Sequence, residues 1–227
     1  MDTSKVWYVT GASQGLGLVL VKKLLESGSR VAAASRDARM LGRTVGLIDK
    51  DRFLPLAVDL NNPDCIDESI RETLATFGRI DVVVNNAGYG ITGPVEEITQ
   101  PDIRNIFNVN VLATIDVVKS VLPAMRSRRA GYIINVGSVA GLAAFSEVIA
   151  LDVKEFGVKV TVVEPSGFRI DRAAELFIEL AERPEPPMHL FLGSDAYNRA
   201  SKKLTEMSVE LEQWKAVAAG TDFKKSL

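Results

Sequence analysis

The chain has 227 residues, of which 47% are hydrophobic and 25% charged, and its formal net charge is −2. That length and balance suit one globular domain, 1–227, with a core large enough to need neither disulfides nor metal. The near-neutral total offers no footprint for nucleic acid or an anionic membrane, and with one cysteine (Cys65) and one histidine (His189) neither an intrachain disulfide nor a zinc site is expected.

Taken in chain order, short β-branched runs alternate with helical patterns. The N-terminus passes from Lys5 straight into Val6-Trp7-Tyr8-Val9, too short an apolar run for a secretory leader. No stretch approaches the ~18 uncharged apolar residues of a membrane span. A soluble, cytoplasmic protein is expected. Val6–Val9 reads as a strand ending at Thr10-Gly11. Gly15–Ser27 follows as a helix, with Leu16, Leu20 and Leu24 and then Val21 and Leu25 at four-residue spacing, closed by Gly28. Arg30–Ser35 is a second strand and Asp37–Asp49 a helix. Phe53–Val58 is a third strand, and Asn62 or Asp64 caps a helix running to about Phe77. Asp81–Asn85 is a fourth strand, its Val82-Val83-Val84 core suited to burial on both faces. A long helical region spans about Pro101–Arg128. Then come a strand at Tyr132–Val136, a short helix at Glu147–Phe156, a strand at Val158–Val163, a helix at Ala173–Glu182, a run at Met188–Leu192 and a helix at about Asp195–Lys215. Residues 216–227 read as a flexible tail. This alternation predicts an α/β, Rossmann-like doubly wound parallel sheet of about seven strands with helices on both faces. Ligands in such sheets bind at the carboxyl ends of the strands.

The residues with chemistry fall at those ends. Thr10-Gly11-Ala12-Ser13-Gln14-Gly15-Leu16-Gly17 stands where a strand turns into a helix. Glycine there admits positive φ and close approach of a phosphate, and the helix N-terminus supplies free N–H groups. The spacing is Gly-x-x-x-Gly-x-Gly. With this motif the chain resembles the short-chain dehydrogenase/reductase family, and the resemblance recurs in order to about residue 167. Asp59 and Leu60 end the third strand, where the family contacts adenine. Asn85-Asn86-Ala87-Gly88 matches the family's Asn-Asn-Ala-Gly. Asn110 holds the place of its active-site asparagine and Ser138 that of its catalytic serine. Pro165-Ser166-Gly167 corresponds to a Pro-Gly turn near the nicotinamide. The resemblance thus implies Ser138 and Asn110 as catalytic residues. It implies Gly11, Ser13, Gln14, Gly15, Leu16, Gly17, Ser35, Arg36, Asp59, Leu60, Asn86, Ala87, Gly88, Pro165 and Gly167 around a dinucleotide. Structural alternatives stay open for several: Asp59 as a turn cap, Asn86 as a turn residue, Asn110 as a local carbonyl partner, Ser138 as a loop serine.

Cofactor choice is read at the end of the second strand. NAD-preferring sheets place an acid there for the ribose hydroxyls; here Ser35 is followed by Arg36, whose guanidinium suits a 2′-phosphate. NADP(H) is therefore expected, with NAD(H) possible because Asp37 is one residue further on. The substrate class implied is a small-molecule carbonyl or secondary alcohol, in a pocket with Tyr89, Ile91, Leu142 and Phe168. A homo-oligomer formed through the long helix around 101–128 and the active-site helix is also implied.

The resemblance breaks at the proton donor. The family pairs a tyrosine with a lysine four residues later, whose charge favours the tyrosinate. The tyrosines here are Tyr8, Tyr89, Tyr132 and Tyr197, and the residues four further on are Ala12, Gly93, Val136 and Ser201. Lys154 lies near the expected place, but Ala150 precedes it by four. Residues 141–145 read as the loop leading into the family's active-site helix, and 146–156 as that helix's far end. By that comparison on the order of 15–20 residues, several helical turns, are lacking at about 145–147. A substrate-covering segment is lacking near 168–172. The expectation is that the expressed protein carries both segments and that the printed sequence omits them. The alternative is a dinucleotide-binding regulator that has lost its proton relay.

Overall fold

The first strand, β1 (Val6–Thr10), is buried at all five residues, as an apolar run must be in the middle of a sheet covered on both faces. The computed structural model describes residues 4–46, 49–137 and 142–220. The other strands are β2 (Arg30–Ser35), β3 (Phe53–Ala57), β4 (Val82–Asn85), β5 (Gly131–Val136), β6 (Val158–Pro165) and β7 (His189–Leu192). They form one sheet in the order β3-β2-β1-β4-β5-β6-β7, with every pairing parallel. Between them run α1 (Gly15–Glu26), α2 (Ala38–Val45), α3 (Pro63–Phe77), α4 (Gln100–Phe107), α5 (Ala113–Arg128), α6 (Leu142–Val153) and α7 (Ile170–Glu182), with α8 (Ser194–Ala219) after β7.

Strand period sorts the core into two halves. Trp7 and Val9 point to one face, under Leu20, Leu24 and Leu25 of α1 and Phe177 and Leu180 of α7. Val6 and Tyr8 point to the other, under Ile66 and Ile70 of α3, Val117, Val118 and Val121 of α5, and Ile149 and Val153 of α6. Each such aliphatic side chain contributes about 1.5–3 kcal/mol on burial. The expected Rossmann-like sheet with helices on both faces is what forms.

Several boundaries differ from expectation, each for a local reason. The helix expected over Asp37–Asp49 is only α2. Asp37 stays outside as its N-cap, accepting from the Met40 amide at 2.9 Å, and Gly46 at φ 75° ends it in the left-handed conformation. Asn62, not Asp64, caps α3. The long helical region is interrupted by a π-helical segment, Asn108–Leu112, between α4 and α5. The helix expected from Glu147 begins at Leu142. The reading of Leu142–Phe145 as a loop is corrected, and α6 runs unbroken through 145–147. Leu and Ala favour helix, and Leu142 is buried beside Gly137. Likewise α7 starts at Ile170 and α8 continues to Ala219, so the tail expected from residue 216 is helical for four residues; residues 221–227 lie outside the described residues.

The helical run Gln100–Arg128 has the length and apolar character of a membrane span. Its α5 portion, however, buries Val117, Val118, Val121 and Met125 within the domain. Among the described residues no group of His, Cys, Asp and Glu is placed to hold a metal ion.

Candidate functional site

At the carboxyl end of the sheet, the turns after β1, β2, β3 and β4 enclose an open cavity of about 650 Å3. Its position follows from topology: β1 and β4 are neighbours, and the chain leaves β1 towards β2 on one side and β4 towards β5 on the other. The cleft between the diverging turns is the switch point at which such sheets bind ligands.

The glycine turn forms its floor. Gly11 has φ 65°, and a Cβ there would stand 2.8 Å from Ala87 Cα. Gly17 sits in the first turn of α1 at ordinary φ, but a Cβ on it would meet the Gly11 carbonyl and lie 2.6 Å from Asn86 Nδ2. These two glycines let α1, the first turn and the β4 turn close on one another. Gln14 is the N-cap of α1 but its side chain makes no capping bond, and the first turn carries no acid. The side chains of Asp37, Asn62 and Thr99 cap α2, α3 and α4. The α1 terminus therefore offers open N–H groups to an anion. A cradle that a methyl group would fill, before an uncapped helix end, fits a dinucleotide's pyrophosphate.

The β4 turn is locked to this floor. Thr10 Oγ1 accepts from the amides of Asn86 and Ala87, both at 3.0 Å. Asn86 Nδ2 donates to the carbonyls of Thr10 at 3.0 Å and Gly11 at 3.2 Å. Asn86 thus lines the cavity with its amide bound to the glycine turn, a positioning role. Behind it a buried chain runs from Asn85 Nδ2 to Asn135 Oδ1, and from Asn135 Nδ2 to Ser146 Oγ, each at 2.9 Å.

On the wall beyond β2, Ser35 is buried and its hydroxyl donates to the Asp37 carbonyl at 2.9 Å. Arg36 lines the cavity, whereas Asp37 does not. Asp59, after β3, is exposed at the rim and accepts from the amide and side chain of Asn61 at 2.9 and 3.2 Å; Leu60 lines the cavity beside it.

Of the residues expected around a dinucleotide, the structure brings Gly11, Ser13, Gln14, Gly15, Leu16, Ser35, Arg36, Asp59, Leu60, Asn86, Ala87 and Gly88 to this one cavity. Gly17 stands just behind it. Pro165 and Gly167 do not line it: Pro165 ends β6, and the turn after it packs against Gly193, where a Cβ would lie 3.0 Å from the Gly167 carbonyl. Ser138 and Gly141 lie outside the described residues. Asn110 stands in the π-helical segment and grips the backbone of Tyr89, accepting from its amide at 3.1 Å and donating to its carbonyl at 2.8 Å. Its side-chain amide is committed to holding the loop after β4. Of the four residues expected to form an apolar substrate pocket, Tyr89 alone lines the cavity. Leu142 is buried, and Phe168 packs against the core under α1 and α7. Ala34, Val58, Asn61, Asn105 and Val109 line the cavity and were not anticipated. Asn105 and Val109 are four residues apart, one helical face.

The tyrosines separate clearly. Burial pushes the phenol of Tyr8 up to about 12, against the lowering effect of its 2.7 Å bond to Ser69. Burial does the same to Tyr132, up to about 12, against its bond to Thr161. Tyr197 is on α8. Helix α6 carries neither tyrosine nor lysine, and Lys154 follows it at the opposite end of the sheet, where Gly157 closes the turn into β6.

Comparison with known proteins agrees with this geometry. Residues 5–148 match the family model described as short chain dehydrogenase. The chain is 29% identical to Oxidoreductase BOA17 of Botryotinia fuckeliana, over 95% of this chain and 98% of that protein. That alignment spans 269 positions, more than a chain of 227 residues can fill, so the relative carries stretches that this chain lacks. A short-chain dehydrogenase from Streptomyces avermitilis superposes with a TM-score of 0.91 at 28% identity, covering 98% of this chain and 100% of that one. A metagenomic short-chain oxidoreductase, in complex with NADP, superposes with a TM-score of 0.76 at 27% identity, over 83% and 96% of the two chains. Sheet order, glycine turn, Asn-Asn-Ala-Gly turn and these matches agree, and the chain belongs to the short-chain dehydrogenase family of oxidoreductases.

Proposed function

We propose that this chain is an NADP(H)-dependent oxidoreductase interconverting a carbonyl and a secondary alcohol. The observation that carries the cofactor preference is at the β2 turn. Arg36 faces the cavity, and the one nearby acid, Asp37, is withdrawn as the cap of α2. A guanidinium there suits a 2′-phosphate, and at this turn no carboxylate lines the cavity, whose acid, Asp59, belongs to the turn after β3. When bound, the dinucleotide supplies or accepts the hydride. The protein's own residues hold it: the glycine turn and the open end of α1 take the pyrophosphate, Asp59 and Leu60 flank the adenine end, and Asn86 fixes the turn beneath. Ser138 is assigned the hydrogen bond to the substrate oxygen, where negative charge develops. Cytoplasmic residence is part of the same proposal, since the lone Cys65 is a free thiol.

A second reading has a specific observation in its favour. No tyrosine is followed four residues later by lysine, and α6 offers no replacement acid of that kind. On this reading the chain binds the dinucleotide and does not turn it over.

One experiment separates the two. The purified chain is titrated with NADPH and NADH by cofactor fluorescence, then mixed with NADPH and a panel of apolar ketones and aldehydes. Tighter NADPH binding followed by NADPH oxidation supports the proposal. Binding without oxidation selects the regulator, and failure to bind either dinucleotide refutes both. Intact mass against 24.7 kDa tells whether the expressed chain carries the segments expected near 145–147 and 168–172.

A further inference from the structure

Helix α8 leaves the body of the protein soon after it begins. Ala196 is buried and Ala200 half-buried, but every residue from Ser201 to Gly220 is exposed. At the α-helical rise that free length is roughly 30 Å. Helices of this length draw most of their stability from packing an apolar face, and this one presents such a face to solvent. Leu204, Met207, Leu211 and Trp214 are 64%, 48%, 70% and 64% exposed. They alternate in steps of three and four, and Tyr197, Ala200 and Ala218 extend the same alternation in both directions. The result is one continuous seam along the helix, the a and d positions of a heptad pattern.

We propose that this seam is closed by α8 of a second copy of the chain, in a parallel two-stranded coiled coil. Charge complementarity in the register that overlaps all four exposed seam residues supports this occupant and direction. Glu210 precedes Leu211 at a g position, and Lys215 follows Trp214 at an e position. Parallel packing places Glu210 of one copy beside Lys215 of the other on both sides of the seam. Antiparallel packing that stacks Leu204 on Trp214 and Met207 on Leu211 instead sets Glu210 against its own counterpart. Lys215 is 3.3 Å from Glu212 within its own helix, both exposed; exchanging that contact for an intermolecular one costs little. A lipid surface fits less well. The charged residues of α8 are Asp195, Glu206, Glu210 and Glu212 against Arg199, Lys202, Lys203 and Lys215, an even balance. Helices that lie on anionic membranes have a basic polar face.

The test uses the full chain at micromolar concentration. Light-scattering mass is compared for the wild type and Leu211→Asp, with NADPH binding and circular dichroism as controls for the fold. The wild type is expected to have twice the mass of the variant, at unchanged NADPH affinity. In a Cys65→Ser background, Leu211→Cys is expected to form an interchain disulfide on mild oxidation, because a positions face each other in the parallel arrangement. Glu210→Lys is expected to weaken association about tenfold, a change of ~1.4 kcal/mol, and adding Lys215→Glu to restore it. Equal masses for wild type and Leu211→Asp would overturn the proposal. So would Leu211→Cys failing to cross-link with itself while cross-linking with Met207→Cys, the antiparallel signature. A monomeric wild type that pellets with phosphatidylserine vesicles would assign the seam to a lipid surface instead.

Discussion

The arginine at the end of β2 offers the sharpest test of cofactor choice. Arg36 lines the cavity and makes no hydrogen bond or ion pair with the described residues, so replacing it with alanine removes no internal support. Hydrogen bonds to a charged partner contribute about 1.5–3 kcal/mol. Arg36 is exposed, so water competes for the phosphate and the lower end applies. Arg36→Ala is then expected to weaken NADPH binding by about 1.5 kcal/mol, roughly tenfold, and to leave NADH binding unchanged. Titration by cofactor fluorescence at low and high salt reads both numbers. The wild-type preference for NADPH should shrink at high salt, because an exposed charge pair is screened. Asp37→Ala is the companion variant. It removes the cap of α2, at a cost of about 0.5–2 kcal/mol in folding stability, without touching either cofactor. Equal losses of NADPH and NADH binding in Arg36→Ala, or a selective loss of NADH binding in Asp37→Ala, would refute the argument.

Three further expectations rest on the same geometry. Gly17→Ala forces a methyl group onto the Gly11 carbonyl and Asn86; overpacking of this kind costs about 1–3 kcal/mol, so the variant should melt earlier and lose dinucleotide binding. Asn86→Ala leaves the Thr10 and Gly11 carbonyls without their side-chain donor. Denaturant unfolding should register a loss of about 1–3 kcal/mol, with weaker binding of both dinucleotides. Asp81 sits at the other end of the sheet. Burial opposes its charge, but the Val6 amide, Arg128 and Arg79 outweigh burial and hold its carboxyl below the usual carboxylate range. A depressed folded-state pKa adds stability that is fully present above the ordinary value and is lost as pH falls through the lowered one. Asp81→Asn should therefore be less stable than wild type at neutral pH, with the gap closing below about pH 4; a gap that stayed constant into acid would count against the ion cluster.

Much of this was legible in the residues because local and global signals agree. Val82-Val83-Val84 suits a strand covered on both faces, and the glycine turn lay where a strand met a helix. Asn62 and Gly28 marked helix boundaries to within a residue or two, whereas Gly46, which ends α2 four residues before the expected Asp49, was passed over. What was not legible depended on docking. Asn105 and Val109 reach the cavity because α4 and the π-helical segment after it turn that face towards it, a rotation that no spacing encodes. Asn110 was legible as a site residue from its place in the chain, but its grip on the Tyr89 backbone depends on the π-helical segment that carries it. The misreading of Leu142–Phe145 has a different origin. The resemblance implies a loop at residues whose own preference is helical, and the local preference of Leu142, Ala143 and Ala144 prevails.

The two ends of the sheet have different consequences for how the chain can change in length. At the amino end, Asp81 ties β1 to Arg79 and Arg128 in short, crowded connections. At the carboxyl end, by contrast, the pairing of β6 with β5 and β7 does not involve the turn between β6 and α7. Lengthening a surface loop costs only about 0.6 kcal/mol per doubling. A segment inserted at that turn would leave the seven strands in register, so a longer chain can keep the same sheet.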